Sequence, residues 1–301
     1  MSKQTRGSLL LLLTAAIWGS AFVAQKSGMG HVQPYTFNGV RMILAALALI
    51  PVIRLRDRRN GLWDAPIGSA PDQRRATFWG GLLCGLVLFV ASSFQQFGVL
   101  HTTAGKAGFI TALYLVMVPI IGLFLKRRAG GRVWLSVGIA VIGLWLLSVK
   151  GDFSMGWGDL LATGGAFWFA VHILVIDHFS PRVDGVRMAC IQFFVCGVLA
   201  LITMAVFETP SWGGILAAWK PILYAGLLSG GLGYTLQILA QRDTDPTVAS
   251  LIMSLESVFA ALAGGLLLGE VLSARELAGC GLMLAASVLS QVKAQQRRQG
   301  D

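Results

Sequence analysis

Residues 107–125 read AGFITALYLVMVPIIGLFL, a run without a charged side chain, closed by Lys106 on one side and by Lys126, Arg127 and Arg128 on the other. A hydrocarbon layer about 30 Å thick takes about 20 mainly apolar residues per helical crossing. Within it every backbone N–H and C=O must be bonded inside the protein, which a helix achieves alone and an open strand does not. The run therefore reads as a membrane-spanning helix. Working outward, residues 8–25, 76–105, 133–149, 160–176, 188–207, 221–241 and 277–292 are likewise free of Asp, Glu, Lys and Arg. Residues 34–53 and 247–269 are as apolar but for one ionisable side chain each, Arg41 and Glu256. The reading is an all-α integral membrane protein of ten transmembrane helices.

Composition agrees, because 55% apolar against 13% charged residues leaves too little polar surface to clothe a soluble globule of 301 residues. A net charge of +10 raises the question of nucleic acid, and the placement of the cations argues against that partner. The tails and even-numbered loops hold Lys3, Arg6, Arg54, Arg56, Arg58, Arg59, Arg74, Arg75, Lys126, Arg127, Arg128, Arg132, Arg182, Arg187, Arg242, Lys293, Arg297 and Arg298. The odd loops and their helix ends hold Lys26, Lys106, Lys150, Lys220 and Arg275. Since cytoplasmic loops retain Lys and Arg during insertion, both termini are expected in the cytoplasm, in a plasma (inner) membrane. A cleavable signal in the first 25 residues is a weaker reading, its small-residue cleavage pattern being poor. In the stretch 54–75, too short for a core, Leu62, Trp63 and Ile67 are expected to rest on the inner membrane surface. Cys84, Cys190, Cys196 and Cys280 lie within spans at no ligand-like spacing and read as small buried apolar residues.

Residues 107–148 and 250–290 share a layout of apolar helix, short polar turn, Gly-bearing helix and Leu-Ser ending. The chain thus divides into 1–150 and 151–301, two five-helix repeats. Duplicating an odd number of spans inverts the second copy and places a substrate site near the bilayer midplane.

Particular residues carry a family resemblance. Thr14-Ala-Ala-Ile-Trp-Gly-Ser-Ala-Phe22, then Asn38-Gly-Val-Arg41, then Lys106-Ala-Gly-Phe-Ile-Thr-Ala-Leu-Tyr114 with Pro119, and finally Leu255-Glu-Ser-Val-Phe-Ala-Ala-Leu262 leading to Leu268-Gly-Glu270 resemble the EamA-type branch of the drug/metabolite transporter superfamily. The resemblance spans nearly the whole chain. It implies two five-helix repeats, cytoplasmic termini, a central cavity and movement of amino acids, related metabolites or toxic compounds, often outward. In one respect the chain departs from the pattern: the first repeat has Lys126-Arg-Arg128 where the family closes its fourth helix with Gly-Glu.

Polar groups inside spans mark the expected site, since a charge at the bilayer centre costs roughly 2.5–3.5 kcal/mol on insertion scales and is paired or wet. Glu256 is the proton-coupling candidate, with helix-packing glue as the alternative. Arg41 shares a helix face with Asn38 and is expected either to bind a carboxylate or to pair with Glu256. Trp18 with Gln25, Ser92 with Gln95, Trp168 with His172, and Tyr234 with Gln237 and Gln241 form stripes of hydrogen-bonding tips on apolar walls; Tyr114 is the further candidate. Gly230, Gly231, Gly233 and Pro119 are candidate bending points.

No nucleophile elbow, metal-binding helical pair, carbonyl filter or phosphate-cradling loop occurs within the spans, so enzyme, channel and ATP-driven pump are disfavoured and neither metal nor cofactor is expected. The expectation is a secondary transporter of small amphipathic metabolites, working by alternating access as an exporter, with lipid and a small-molecule substrate as partners, as monomer or homodimer. A sugar-phosphate or nucleotide-sugar exchanger and a non-transporting sensor are the alternatives.

Overall fold

The computed structural model describes residues 3–59, 71–101, 104–127, 129–148, 156–268 and 273–291. Leu62, Trp63, Ile67 and the Gly269-Glu270 pair lie outside these. The described residues form helices and turns and no strand. The long helices are α1 (Lys3–Gly28), α2 (Pro34–Arg59), α3 (Pro71–His101), α4 (Ala104–Ala112), α5 (Tyr114–Phe124), α6 (Gly131–Ser148), α7 (Trp157–Phe179) and α8 (Gly185–Phe207). After them come short α9 (Trp212–Ala217) and α10 (Trp219–Leu223), a π-helical segment (Tyr224–Tyr234), α11 (Thr235–Gln241), α12 (Pro246–Met253), α13 (Glu256–Leu268) and α14 (Ala274–Gln291).

Among the described residues, 9 helical stretches are long and apolar enough to cross a membrane, counting α4 with α5, α10 through α11, and α12 with α13 as single crossings. The chain is an all-α integral membrane protein. The tenth expected span corresponds to α14 and is not one of the 9. It begins at Ala274, because Ser273 and Glu276 form a capping box: Ser273 N–H donates to Glu276 Oε2 at 2.7 Å and Glu276 N–H to Ser273 Oγ at 3.3 Å. That box draws Arg275 and Glu276 into the first turn, ahead of the charge-free run that begins at residue 277.

Close backbone approach decides several helix pairs. A Cβ added at Gly279 of α14 would sit 2.6 Å from Gly143 O of α6, and one at Gly81 or Gly85 of α3 would meet Ile191 or Val195 of α8 at 2.6 and 2.7 Å. These glycines serve plain helix crossing. Lipid-facing side chains such as Leu135, Trp145, Phe194, Ile202 and Val288 stay exposed, as expected where the solvent is hydrocarbon.

Ion pairs gather at both ends of the bundle. At the cation-rich end, Arg56 of α2 pairs with Asp184 before α8, Arg187 of α8 bridges Asp184 and Asp57 at 2.8 and 2.6 Å, and Arg127 pairs with Asp177 of α7. At the opposite end Lys106 of α4 reaches buried Asp159 of α7 at 2.6 Å, and the Glu208 carboxylate accepts from the unpaired first-turn N–H groups of α2 at Tyr35 and Thr36, both at 2.7 Å. Lys106 is therefore tied to an acid.

Asp184 also caps α8, accepting from Val186 and Arg187 N–H. Burial raises its affinity for a proton, but the hydrogen bonds and charges of Arg56 and Arg187 outweigh it and hold the carboxyl below its ordinary value. A group depressed in this way stabilises the fold above its unfolded-state pKa, and the benefit is lost as pH falls through the folded one. Asp184→Asn should lose about 2 kcal/mol at pH 7. Thermal unfolding in detergent should show the gap to the parent constant from pH 7 to about 5 and closing below about pH 4; a gap independent of pH would remove the charge from the explanation.

Candidate functional site

Two interrupted helices build the centre. The crossing made of α4 and α5 is broken at Leu113, whose N–H donates to Ile110 O at 3.1 Å, and that made of α12 and α13 is broken at Ser254 and Leu255, where Leu255 N–H donates to Ile252 O at 3.2 Å. Both are single turns tightened to a three-residue hydrogen-bond step. Each presents the next residue at its helix start, Tyr114 and Glu256. The interruption of the fourth crossing thus falls at Leu113, and Pro119 lies within α5.

Those two residues meet: Tyr114 Oη donates to Glu256 Oε1 at 3.0 Å, both side chains 3% exposed. They line a central cavity of about 30 Å³ together with Arg41, Gln25, Gln95 and Tyr234. That is room for a water or two, too little for a metabolite in this conformation.

Arg41 is 2% exposed. Its guanidinium makes one hydrogen bond among the described residues, from Nε to Asn38 Oδ1 at 3.0 Å, and lies 5.6 Å from the Phe37 ring centre. Asn38 is oriented in turn by donating from Nδ2 to Ser92 Oγ at 2.8 Å. Among the described residues no carboxylate comes within 4.0 Å of Arg41. The ion pair with Glu256 weighed from the sequence is not formed, because each group has a neutral partner nearer its own helix break or helix face.

Trp18 lies on the cavity wall, where its Nε1–H donates to Ser229 O at 3.1 Å and its ring sits 4.7 Å from that of Tyr234. The acceptor belongs to the π-helical segment. This segment covers Gly230, Gly231 and Gly233, and its wide turns accept a second side chain when Thr14 Oγ1 donates to Gly233 O at 3.3 Å. Gln95 Nε2 donates to Thr111 Oγ1 at 3.4 Å, while Gln25 Oε1 has no partner.

Of the residues singled out from sequence, Trp18, Gln25, Arg41, Gln95, Tyr114, Tyr234 and Glu256 come together on this wall. Asn38 stands behind Arg41 and positions it. Trp168, His172 and Gln237 do not line the cavity. On α7 the wall is Phe169: one residue turns a helix by 100°, so Trp168 packs half-buried against Phe167 at 5.7 Å. His172 bonds Gln192 at 3.1 Å, out of line with the cavity although its ring is 5.8 Å from that of Tyr234. Sequence reasoning missed Thr111, Phe169 and Ser229; Thr111 and Phe169 carry a visible spacing signal, three residues before Tyr114 and three before His172, whereas Ser229 enters through its backbone and carries none. No cluster of three or more His, Cys, Asp or Glu suited to a metal occurs among the described residues.

Comparison with known proteins is consistent over the whole length. The model of the EamA-like transporter family matches residues 5–149 and again 156–291. A protein of Archaeoglobus fulgidus named an uncharacterized transporter is 30% identical over 97% of this chain and 87% of its own. The threonine/homoserine exporter RhtA of Escherichia coli is 27% identical over 93% of this chain and 89% of its own, and the uncharacterized inner membrane transporter YedA of the same organism 24% identical over 91% and 86%. A solved crystal structure, 15% identical, superposes with a TM-score of 0.78 over 97% of this chain and 99% of that one, a shared fold.

Proposed function

The chain belongs to the EamA-like transporter family, and from that premise we propose that it carries small zwitterionic metabolites, amino acids or close relatives of them, through the central cavity by alternating access. The observation that carries this reading is Arg41, a buried guanidinium held by a neutral amide and opening on a cavity that also contains the Glu256 carboxyl. A solute bearing one carboxylate and one ammonium meets each of them with the opposite charge. Trp18, Phe169 and Tyr234 supply the apolar wall for its side chain.

With room for a water or two, the cavity has to open before any metabolite enters. The like-built breaks at Leu113 and Leu255 and the π-helical segment are places where helix halves can re-aim. The same likeness supports the division at residue 150 into two inverted repeats. The sorting of Lys and Arg supports cytoplasmic termini, the name of YedA supports the inner membrane, and that of RhtA supports threonine-like solutes moved outward.

A dianionic sugar phosphate would call for several buried cations, and Arg41 is the one Lys or Arg below a tenth exposed among the described residues. A sensor would show no flux. The test is counterflow in proteoliposomes loaded with threonine or homoserine, with the decarboxylated analogue as control. Exchange of the zwitterions at least tenfold above the analogue is expected; equal rates, or none above protein-free vesicles for a panel of amino acids, would sink the reading.

A further inference from the structure

Between Tyr234 and the cation-rich end of the bundle lies a second line of buried polar side chains. His172 Nε2 and Gln192 Oε1 are 3.1 Å apart, and Gln241 Nε2 donates to Ile173 O at 3.0 Å. Gln237 stands between Tyr234 and Gln241, three and four residues away and so on one face of α11. All four side chains are 2% exposed or less.

Helix-packing amides find partners. Here Gln192 Nε2, Gln237 Oε1 and Gln241 Oε1 have none among the described residues, and further along, where α7 and α11 end, the same is true of Ser180 Oγ and Thr244 Oγ1. A buried polar atom without a partner is costlier than a bonded one or an apolar replacement. Five of them, on α8, α11 and the turns that follow α7 and α11, run from a cavity-lining tyrosine towards the ion pairs of Arg56, Asp184 and Arg187.

We propose that this column is the leg of the transport path on the cation-rich side, packed shut in this conformation, and that when α11 parts from α7 and α8 it takes water and the uncharged hydrogen-bonding edge of the solute in transit. Amides, hydroxyls and one imidazole bind such groups weakly and at many points, which suits passage rather than retention. The inference rests on the transporter reading but not on the identity of the solute.

The test is sided labelling. Single cysteines at Gln192 and Gln241, in a chain whose four native cysteines are replaced by alanine, are exposed to a membrane-impermeant sulfonated thiosulfonate in inside-out and right-side-out vesicles, with Gln33→Cys at the opposite end as the sidedness control. Labelling of Gln192→Cys and Gln241→Cys at least tenfold faster from the side opposite to that which labels Gln33→Cys is expected. Unreactive cysteines in folded protein overturn the proposal. Should these variants not fold, Gln237→Met gives a second reading. A path residue predicts flux at least tenfold down with a melting temperature unchanged or higher, and unaltered flux overturns the proposal. Labelling reads the path and counterflow reads the solute, so a chain that labels as expected yet exchanges no amino acid keeps the path and loses the zwitterion assignment.

Discussion

Arg41→Gln should lower the rate of carboxylate-dependent counterflow at least about a hundredfold, while the purified protein melts no lower than the parent. A guanidinium–carboxylate contact in a site this dry is worth about 3 kcal/mol when one partner is removed, and each 1.4 kcal/mol is about tenfold. The stability half of the expectation follows from the same geometry. Arg41 is desolvated, with no counter-ion among the described residues and a single neutral hydrogen bond, an arrangement that costs the fold rather than supports it. Glutamine keeps a polar tip within the Asn38 and Ser92 relay and discards the charge. Arg41→Lys retains the charge but not the planar fork, and should fall between the two. Counterflow together with a thermal melt separates the cases: an unaltered rate would make Arg41 a packing residue, and a collapsed melt would make it a structural one.

Arg41 sits where the fold gains nothing from its charge, and the candidate site is only half legible in the sequence. The spans were plain because membrane insertion demands long uncharged runs, and residues 107–125 show this as clearly as any. Arg41 and Glu256 stood out for the same reason, as interruptions of such runs. Their relation did not. Whether they pair depends on the breaks at Leu113 and Leu255, which turn Tyr114 towards Glu256, and no hydrophobic pattern records a turn tightened by one residue inside an apolar segment. Helical spacing identified the stripe on α7 without its centre, so Trp168 stood in for Phe169. The start of α14 is set by Ser273, which caps it and draws Arg275 and Glu276 into the first turn, ahead of the charge-free run that begins at residue 277. The unpartnered atoms of Gln192, Gln237 and Gln241 have no sequence signature, since a glutamine bonded at both ends of its amide and one bonded at a single end are the same letter.

Glu256→Gln should abolish uphill accumulation driven by a pH gradient, while downhill exchange, weakened by the loss of the ammonium's partner, stays measurable above protein-free vesicles. The carboxyl faces Tyr114, whose hydroxyl is its one hydrogen-bond donor among the described residues, and shares the cavity with Arg41 and Tyr234 as the other ionisable groups. At about 30 Å³ the site holds little water. Opened to one side, it equilibrates with the proton concentration there. If an ammonium and a proton compete for Glu256, a cycle that brings a proton one way returns the solute the other, and neither crosses with the carboxylate bare. With one proton exchanged per solute, one pH unit sustains up to about a tenfold concentration ratio. Glutamine matches the shape and accepts the Tyr114 hydrogen bond, but takes up no proton, so the variant's ratio should stay at one whatever the gradient. Tyr114→Phe removes the donor and keeps the acid; it should retain coupling with a shifted pH profile, which a merely structural pair would not show. Accumulation at the parent's level in Glu256→Gln would take the carboxyl out of the coupling, and would leave Arg41 as the sole charge on which the recognition of the solute turns.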